Sequence, residues 1–343
     1  MIDDDALALR TAHLAVVVQP SRGAEIRHLG SPGGPNVLFW QDWSTPLRAS
    51  QSISYGDSER DWLSEWRGGW QEMFPNAGAS AEALGVPLAF HGEVSGASWR
   101  VLNATPTDIT LQTQSRLPLT LTRRMWLEPG KPVLHLEETA QNDSAVDVPF
   151  LWGHHPAFDA VPGTLLDVPA NRAVVPAGYD VAHADLAPGD YQWPTADARS
   201  GSKIDLRTVP GGPVERVVYL PDVTSGWAAL RRPDGVGVAM AWDAQVYRHV
   251  WVWTEIGGVD FPWYGRSRVM AVEPVSSWPN DGLAEALRRG RAQNLGPSAS
   301  VSSWLTIALF ESSDARVVGV TREGAVSFAS RDRADRSTEA PSK

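Results

Sequence analysis

The feature that most constrains the fold is a long succession of short strand-forming stretches separated by turn residues. A first group follows at hairpin spacing and comprises Trp99 to Leu102, Ile109 to Gln114, Leu119 to Leu127, Val133 to Thr139 and Val146 to Trp152. A later group comprises Val214 to Leu220, Gly226 to Arg231, Val236 to Trp242, His249 to Thr254, Val269 to Pro274 and Ser303 to Phe310. The one clear helical pattern runs from Asn280 to Gly290. The sequence therefore predicts an all-β fold with few helices, built as a large antiparallel sandwich.

The length and composition fit one large domain. The chain has 343 residues, of which 43% are hydrophobic, so it carries ample material for a core. A single domain is expected over residues 1–312, followed by an extension over residues 313–343. The segment from Ser330 to Lys343 is charged and lacks apolar periodicity, so we expect disorder from about residue 330.

Tryptophan is unusually frequent, with 16 residues. Residues 41–85 are rich in Trp, Gly and Ser and are expected to form a loop that folds over a surface. Its aromatic residues recur at a spacing of four, which is compatible with a short helical turn as an alternative to a loop. These residues are Trp62, Trp66, Trp70 and Phe74. Two interpretations of the tryptophans stay open, namely filling a wide core and stacking against a sugar ring.

Charge and cysteine content exclude several classes of partner and chemistry. The formal net charge of −10 argues against nucleic acid or an anionic membrane as a partner. There is no apolar run long enough for a transmembrane helix, and the first residues lack the pattern of a signal peptide. Cysteine is absent, which excludes disulfides and thiolate catalysis and is typical of a cytoplasmic protein.

Two adjacent histidines, His154 and His155, follow the apolar run from Val146 to Trp152. Neighbouring residues of a strand point to opposite faces, so only one of the two can face a given pocket. Pro156 restricts the backbone of His155, which makes His155 the better-held candidate. Gly153 and Pro156 are expected to end the strand here, and two structural histidines at a strand end are the alternative interpretation.

A glutamate and a third histidine complete the candidate chemistry. Glu273 lies in an apolar stretch directly before Pro274, and His91 precedes Gly92. A carboxylate and an imidazole together can perform general acid–base catalysis near neutral pH. Glycoside hydrolysis would need a second carboxylate opposite Glu273, and none is evident at the sequence level. No metal site is expected, because adjacent histidines on a strand diverge.

The order of these motifs resembles the aldose 1-epimerase (galactose mutarotase-like) family. The residues that carry the resemblance are His91-Gly92, the stretch from Trp152 to Phe158, and Val272-Glu273-Pro274, together with opening strands around Pro20 to Ile26. The resemblance spans about residues 10–312 and implies a β-supersandwich fold in a divergent branch of the family. It implies interconversion of the α and β anomers of an aldose without a cofactor. The substrate would be a monosaccharide or a sugar phosphate, and the protein a monomer or a homodimer.

The resemblance also assigns roles to individual residues. Glu273 would be the general base for the anomeric hydroxyl, His155 the general acid for the ring oxygen, and His91 a sugar ligand. Further substrate-binding candidates are Asn76, Arg67, His154, Trp253 and Asp243.

The chain departs from the family at two of these positions. It retains the asparagine of the family's Asn-Arg pair as Asn76 but lacks the adjacent arginine, for which Arg67 is the nearest substitute. Asp159 and Asp260 are alternatives to Asp243 as the binding aspartate. Two further functions stay open: a non-catalytic carbohydrate-binding protein on this fold, and a sugar hydrolase or lyase.

Overall fold

The computed structural model describes residues 5–41, 43, 54, 56–178, 181 and 183–329. The disorder predicted from about residue 330 concerns residues outside this set. Within it, two α-helices occur, α1 (Ser58–Glu65) and α2 (Gly282–Arg288), with a 3-10 turn at Glu93–Ser95. Neither helix is long and apolar enough to cross a membrane. The helix predicted from Asn280 to Gly290 is confirmed as α2 with shorter bounds.

The remaining regular structure is β-strand. The strands up to residue 114 are β1 (Leu7–Arg10), β2 (Ala15–Gln19), β3 (Glu25–Gly30), β4 (Gly69–Met73), β5 (Ala81–Ala83), β6 (Val86–Leu88), β7 (Arg100–Ala104) and β8 (Asp108–Gln114). Those up to residue 205 are β9 (Leu119–Leu127), β10 (Val133–Asn142), β11 (Val148–Phe150), β12 (Gly153–Asp159), β13 (Leu165–Asp167), β14 (Arg172–Val175), β15 (Gly189–Gln192), β16 (Thr195–Asp197) and β17 (Lys203–Asp205). The last are β18 (Val214–Leu220), β19 (Trp227–Arg231), β20 (Val236–Trp242), β21 (His249–Ile256), β22 (Arg268–Val275), β23 (Gln293–Leu295), β24 (Ser300–Glu311), β25 (Val317–Val320) and β26 (Val326–Phe328).

Two large sheets form the body of the molecule. A 10-stranded sheet has the order β1-β2-β3-β4-β12-β22-β21-β18-β14-β15, and an 8-stranded sheet has the order β13-β19-β20-β24-β10-β9-β8-β7. The pairings between neighbouring strands of both sheets are antiparallel. The predicted all-β antiparallel supersandwich is therefore confirmed.

Alternation within the strands places the core between the sheets. In β9 every second side chain is buried, and these side chains are Leu119, Leu121, Arg123, Met125 and Leu127. The alternation follows from the strand period of two, which sends one face of β9 into the sandwich and the other toward solvent. By contrast β12 and β22 are buried on both faces. A second layer therefore covers the outer face of the larger sheet at these strands.

The β25–β26 hairpin packs on the outer face of the smaller sheet. Val317 is fully buried there beside Trp227 and alanines of β19 and β20. This hairpin lies in the segment that the sequence assigns to an extension after residue 312.

Two local predictions were wrong. Gly153 and Pro156 do not end the strand that precedes them, because β11 already ends at Phe150 and a new strand, β12, begins at Gly153 and continues through Pro156. Residues 41–85 are not all loop, since they include helix α1 and strand β4, which lies inside the larger sheet. The glycines before β4 explain the second error. Gly68 and Gly69 adopt positive φ values of 98° and 80°, and a Cβ on Gly68 would lie 2.1 Å from the Phe39 carbonyl oxygen, so the chain passes close beside Phe39 to enter the sheet.

Candidate active site

His155 and Glu273 face each other from neighbouring central strands. The pairing of β12 with β22 sets Gly153 opposite Val275 and Ala157 opposite Ala271, which places His155 opposite Glu273. The His155 Nε2 and Glu273 Oε1 atoms lie 3.7 Å apart, and each side chain is only 4% exposed. This separation is slightly longer than a hydrogen bond. The two groups sit close enough to act on one small molecule.

The ladder of backbone pairs between β12 and β22 is interrupted beside His155 and Glu273. Pairs between β12 and β22 are formed at Gly153 and again from Ala157 onward. Between them lie Pro156 on one strand and Pro274 on the other, and proline has no N–H to donate. The same prolines hold His155 and Glu273 in extended geometry, since the residue before a proline is restricted to it.

His91 joins the pair from a loop. Its ring centroid lies 5.3 Å from that of His155. The Nδ1 atom accepts a hydrogen bond of 3.1 Å from the Gly78 N–H, which leaves the proton on Nε2. The backbone of His91 has a φ of 59°, which is uncommon for a residue with a side chain. Burial, and then the nearby His155, hold the pKa of His91 well below its ordinary value, so its ring is a neutral donor.

Aromatic rings cover these three residues. Trp62 of α1 lies 4.9 Å from the His91 ring and 5.4 Å from the His155 ring, measured between centroids. Trp66 and Trp253 lie 5.8 Å and 5.9 Å from the His155 ring. Together Trp62, Trp66 and Trp253 form the aromatic cover. The predicted position of Trp253 beside the catalytic candidates thus agrees with the structure.

The helix that carries Trp62 is fixed at its N-terminus. Asp57 caps α1 by accepting hydrogen bonds from the N–H groups of Glu59 and Arg60. The Ser58 hydroxyl accepts a 2.7 Å bond from the Phe90 N–H, directly before His91. Helix α1 and the His91 loop are therefore tied together, which holds Trp62 over the histidines.

Burial shifts the protonation of both catalytic candidates. It raises the pKa of Glu273 well above its ordinary value, and it lowers the pKa of His155 to about 4. Both shifts favour the neutral form. The Glu273 Oε2 atom is buried without a hydrogen-bond partner among the described residues, and the His155 Nδ1 atom has none beyond its own main chain. Buried polar atoms are usually satisfied, so these two atoms lack a partner that a bound water or a ligand would supply. Neither His155 nor Glu273 is among the lining residues of the adjacent cavity described below.

His154 points to the opposite face of β12, into the interior between the sheets. Its Nδ1 atom accepts a 3.1 Å hydrogen bond from the Trp70 indole N–H, and its Nε2 atom lies 2.9 Å from a Glu138 carboxylate oxygen and 3.2 Å from the Tyr247 hydroxyl. The expectation that only one of the two adjacent histidines faces the pocket is met. The assignment of His154 to substrate binding was wrong, because its ring is fully buried on the other side.

A buried ionic network surrounds His154. Arg123 pairs with Glu72 and, at 2.7 Å, with Glu138. The Trp152 indole N–H donates to Glu72. Burial, and next the adjacent Glu138, raise the pKa of Glu72 to about 7, while burial lowers the pKa of His154 to about 4. These residues, with Tyr247, are called the interior network below.

Glu72, Glu138 and His154 of this network also offer ligand atoms within 4.8 Å of one another, a spacing that would suit a metal ion. However, the Arg123 guanidinium is already bonded to both carboxylates. The positive charge of Arg123 therefore already balances the two carboxylates that a metal ion would bind. The expectation that the protein holds no metal stays a prediction.

Asn76 and Asp243 do not reach the pair. The Asn76 amide donates to the carbonyls of Ala79 and Ala89, both at 2.8 Å, and its oxygen accepts from the Leu283 N–H. It braces the loop before His91 instead of presenting free groups to a sugar. Asp243 accepts from the Gln245 N–H in a turn after β20. The amide of Asn76 is thus committed to the backbone at both ends, which contradicts its predicted substrate-binding role, whereas the role predicted for Asp243 stays a prediction.

The other predicted candidates have different settings. Arg67 is half-buried directly after Trp66, and its role stays a prediction. Asp159 pairs with Arg268 at 2.9 Å. Asp260 accepts backbone hydrogen bonds from Trp263 and Tyr264 through its carbonyl.

A cavity of about 700 Å³ adjoins the aromatic cover. Trp62, Trp66 and Phe90 contribute to its wall, as do the polar residues Gln71 and Glu25. Gln71 lies opposite His155 in the pairing of β4 with β12, so the cavity wall continues into the strand beside the catalytic pair. Sequence reasoning missed Gln71, because β4 was taken as loop.

Replacing Trp62 with alanine is expected to raise the pKa of His155 from about 4 toward its ordinary value of 6.5, since burial is the main cause of the shift. Histidine ring signals followed by NMR across pH 3–8 measure this. Trp126→Ala is the matched control, because Trp126 stacks on His135 in the other sheet, 4.9 Å between centroids. An unchanged His155 pKa in the Trp62 variant would show that other groups exclude water from it.

Comparison with solved structures supports the same fold. The Slr1438 protein from Synechocystis sp. PCC 6803 superposes with a TM-score of 0.64 and 18% identity, covering 89% of this chain and 96% of that one. A protein assigned provisionally as an aldose 1-epimerase, from Escherichia coli K12, superposes with a TM-score of 0.63 and 14% identity. The match covers 89% of this chain and 99% of that one. A galactose mutarotase-like protein from Lactobacillus casei ATCC 334 superposes with a TM-score of 0.59 and 18% identity. The match covers 89% of this chain and 100% of that one.

The chain therefore has a galactose mutarotase-like fold. No family model and no curated protein sequence matches it. Identities of this size establish the architecture alone.

Proposed function

We propose that the protein is an aldose 1-epimerase-like enzyme that interconverts the anomers of an aldose by acid–base ring opening. The observation that carries the proposal is the His155–Glu273 pair. The two groups come from distant parts of the chain, face each other at 3.7 Å, and each keeps one buried polar atom free for a ligand. His91 adds a neutral N–H donor beside them.

The reaction needs one group that takes a proton and one that gives a proton. In the proposed direction Glu273 removes the proton of the anomeric hydroxyl, while His155 protonates the ring oxygen. The C1–O5 bond breaks, the open chain rotates about C1–C2, and closure with the roles reversed gives the other anomer. Holding both groups against one sugar supplies the remaining advantage through orientation.

Burial makes both members of the pair neutral. The Glu273 carboxyl is protonated, and the His155 ring carries the single N–H proton of a neutral imidazole. Moving the carboxyl proton to His155 gives a carboxylate and an imidazolium, which is the form the proposed direction needs. The pair holds the same number of protons before and after each turnover. The sugar hydroxyls assist this transfer by bonding to the charged forms.

The direct test is NMR exchange between anomers of a panel of aldoses and aldose phosphates, with the buffer rate subtracted. Acceleration that depends on protein concentration is expected for at least one sugar. If the whole panel exchanges at the buffer rate, the enzymatic proposal fails for those sugars.

The pH profile is expected to have its acid limb near pH 4 instead of 6.5. Below that pH His155 binds a proton of its own, so the pair holds one proton too many. Above it the pair keeps its neutral form until Glu273, whose pKa burial raises well above its ordinary value, loses its proton. The measurement is kcat/KM from pH 3 to 8, with circular dichroism at each pH to check that the fold is intact. An acid limb at 6.5 would mean that His155 is hydrated in the reacting enzyme.

A second candidate function is carbohydrate binding without catalysis. It is favoured by the aromatic cover, in which Trp62 and Trp253 are only partly buried and are the rings available for stacking against a sugar. It predicts a change in tryptophan fluorescence on addition of a sugar without faster anomer exchange. A hydrolase or lyase needs a second carboxylate or a tyrosine within reach of Glu273. Among the described residues no carboxylate contributes to the raised pKa of Glu273, whereas Tyr219 lies near enough for the Glu273 charge to contribute to its raised pKa, so this alternative rests on Tyr219 alone.

The remaining parts of the proposal follow from the function. The proposed substrate is a monosaccharide or a sugar phosphate, and no cofactor takes part. Neither nucleic acid nor a membrane is a proposed partner. The proposed location is the cytoplasm, and the proposed assembly is a monomer or a homodimer.

A further inference from the structure

A second cavity, of about 580 Å³, lies away from the aromatic cover, where β21 and β22 meet the segment after α2. Its wall includes Arg172, Arg248, His249, Ser276, Trp278 and Arg291. Three guanidinium groups around one cavity are unexpected in a chain whose formal net charge is −10.

Two of these arginines have no ionic partner among the residues that the structure describes. Arg172 is neutralised by Asp190, which it binds through two nitrogen atoms. By contrast, neither Arg248 nor Arg291 forms an ion pair with a carboxylate among the residues that the structure describes. Arg248 bonds weakly to the Gln245 carbonyl at 3.4 Å. Both cations are therefore available to an external anion.

Arg291 is held in place by Trp278. Its Nη1 atom donates to the Trp278 carbonyl at 2.7 Å, and its guanidinium carbon lies 4.6 Å from the centre of the Trp278 ring. The Arg172 guanidinium packs on the same ring at 5.3 Å. A cation stacked on an aromatic ring keeps its other N–H groups free and loses little freedom when an anion binds.

Neutral donors line the same wall. The buried His249 accepts a 3.0 Å hydrogen bond from the Asp222 N–H at Nδ1, so its proton lies on Nε2. The Ser276 oxygen accepts the Trp152 N–H at 2.9 Å, which leaves the Ser276 hydroxyl hydrogen free to donate. The one carboxylate at the cavity is that of Asp222, whose side chain is 77% exposed and points largely to solvent.

One buried acceptor is unsatisfied here. The Gln293 side-chain oxygen is buried without a hydrogen-bond partner among the described residues, while its nitrogen donates to the Val246 carbonyl. An unpaired buried acceptor calls for a donor, which either an ordered water or a hydroxyl group of a ligand supplies. A bare oxyanion would satisfy the cations and leave Gln293 unpaired, whereas a hydroxylated phosphate ester would satisfy both.

We propose that this cavity binds the phosphate group of a small hydroxylated phosphate ester, with Arg248 and Arg291 as the charged ligands and His249 and Ser276 as neutral donors. The residues of this site are not those of the His155–Glu273 pair, so binding of the ester does not depend on the proposed catalytic function. Only its assignment as a substrate rests on that function. The ester is either a substrate whose phosphate binds here or an independent effector, and both sources present the same chemistry to the cavity.

The test is a binding titration of the full chain with inorganic phosphate and with glycerol 3-phosphate, at 100 mM sodium chloride, followed by phosphorus NMR. Saturable binding of both is expected, tighter for the ester. The double variant Arg248→Gln/Arg291→Gln is expected to weaken binding at least tenfold. Arg100→Gln/Arg124→Gln removes the same charge from the smaller sheet and is expected to change binding less than twofold.

Three results would overturn the proposal: no saturable binding to the unaltered chain, an equal loss in both double variants, or equally strong competition by chloride and phosphate. The two sources are separated by adding glycerol 3-phosphate to the anomer-exchange assay with an unphosphorylated aldose. A changed rate identifies an effector site. An unchanged rate, with a preference for phosphorylated aldoses that the arginine variant loses, identifies a substrate site.

Discussion

Replacing Glu273 with glutamine is expected to reduce catalysed anomer exchange by about 10²–10⁴-fold, the usual contribution of a positioned proton-transfer group. Glutamine keeps the shape of the side chain but can neither take nor give the proton. Because Glu273 is buried and held neutral, an uncharged amide fits the same space and the fold should be unaffected. The measurement is the exchange rate by NMR, with the thermal midpoint as a check of the fold.

Glu255→Gln is the matched control for this variant. Glu255 is also a buried carboxyl, on the adjacent strand β21, and burial raises its pKa to about 7. Its Oε1 atom accepts from the Gly258 N–H and the Ser267 hydroxyl, which a glutamine oxygen can also do. Full activity is expected in this variant. Full activity in Glu273→Gln would instead assign the base to another residue.

Replacing Arg123 with methionine is expected to lower the free energy of unfolding by about 3–5 kcal/mol, the usual cost of leaving buried charges unpaired. Arg123 is 2% exposed and is bonded to both carboxylates of the interior network, which would then face each other without a cation. Urea unfolding monitored by circular dichroism measures the change.

The neighbouring residue supplies the control. Arg124 forms an ion pair with Asp108 on the solvent side of the same strand and is 51% exposed, so Arg124→Met should cost less than about 1 kcal/mol. Adding Glu72→Gln to Arg123→Met should recover part of the loss, since it removes one of the unpaired charges. Equal costs for the two single arginine variants would contradict a stabilising role for the interior network.

The fold was readable from the sequence because its signals are local. The stretch from Leu119 to Leu127 has an apolar residue at every second position except Arg123 and is followed by the turn residues Glu128-Pro129-Gly130, and β9 has these same limits. The His155–Glu273 pair could be nominated for a related reason, while the catalytic roles proposed for it came from the family resemblance. A proline after His155 and another after Glu273 fix the backbone of each residue, whatever their separation along the chain.

Other parts of the site depend on contacts between distant segments. Glu72 and Arg123 are 51 residues apart, and each lies in a stretch that also fits a strand with one face in water. Nothing in either stretch indicates that their charges meet inside the sandwich. The role of Asn76 was misjudged for the same reason, because its partner Leu283 is 207 residues away. The course of β12 through Pro156 was missed because a proline usually ends a strand. It is tolerated here because the neighbouring strand β22 forms no backbone pair at that position, so the missing N–H costs nothing.

Strand β24, residues Ser300–Glu311, has a consequence for biosynthesis. It lies between β10 and β20 and bonds to both along most of its length. A ribosome must make every strand from β1 to β23 before this strand can be inserted, and until then β10 and β20 each present a bare edge. Bare edges recruit strands from other chains, so the nascent protein passes through a stage at which aggregation competes with completion of the sheet.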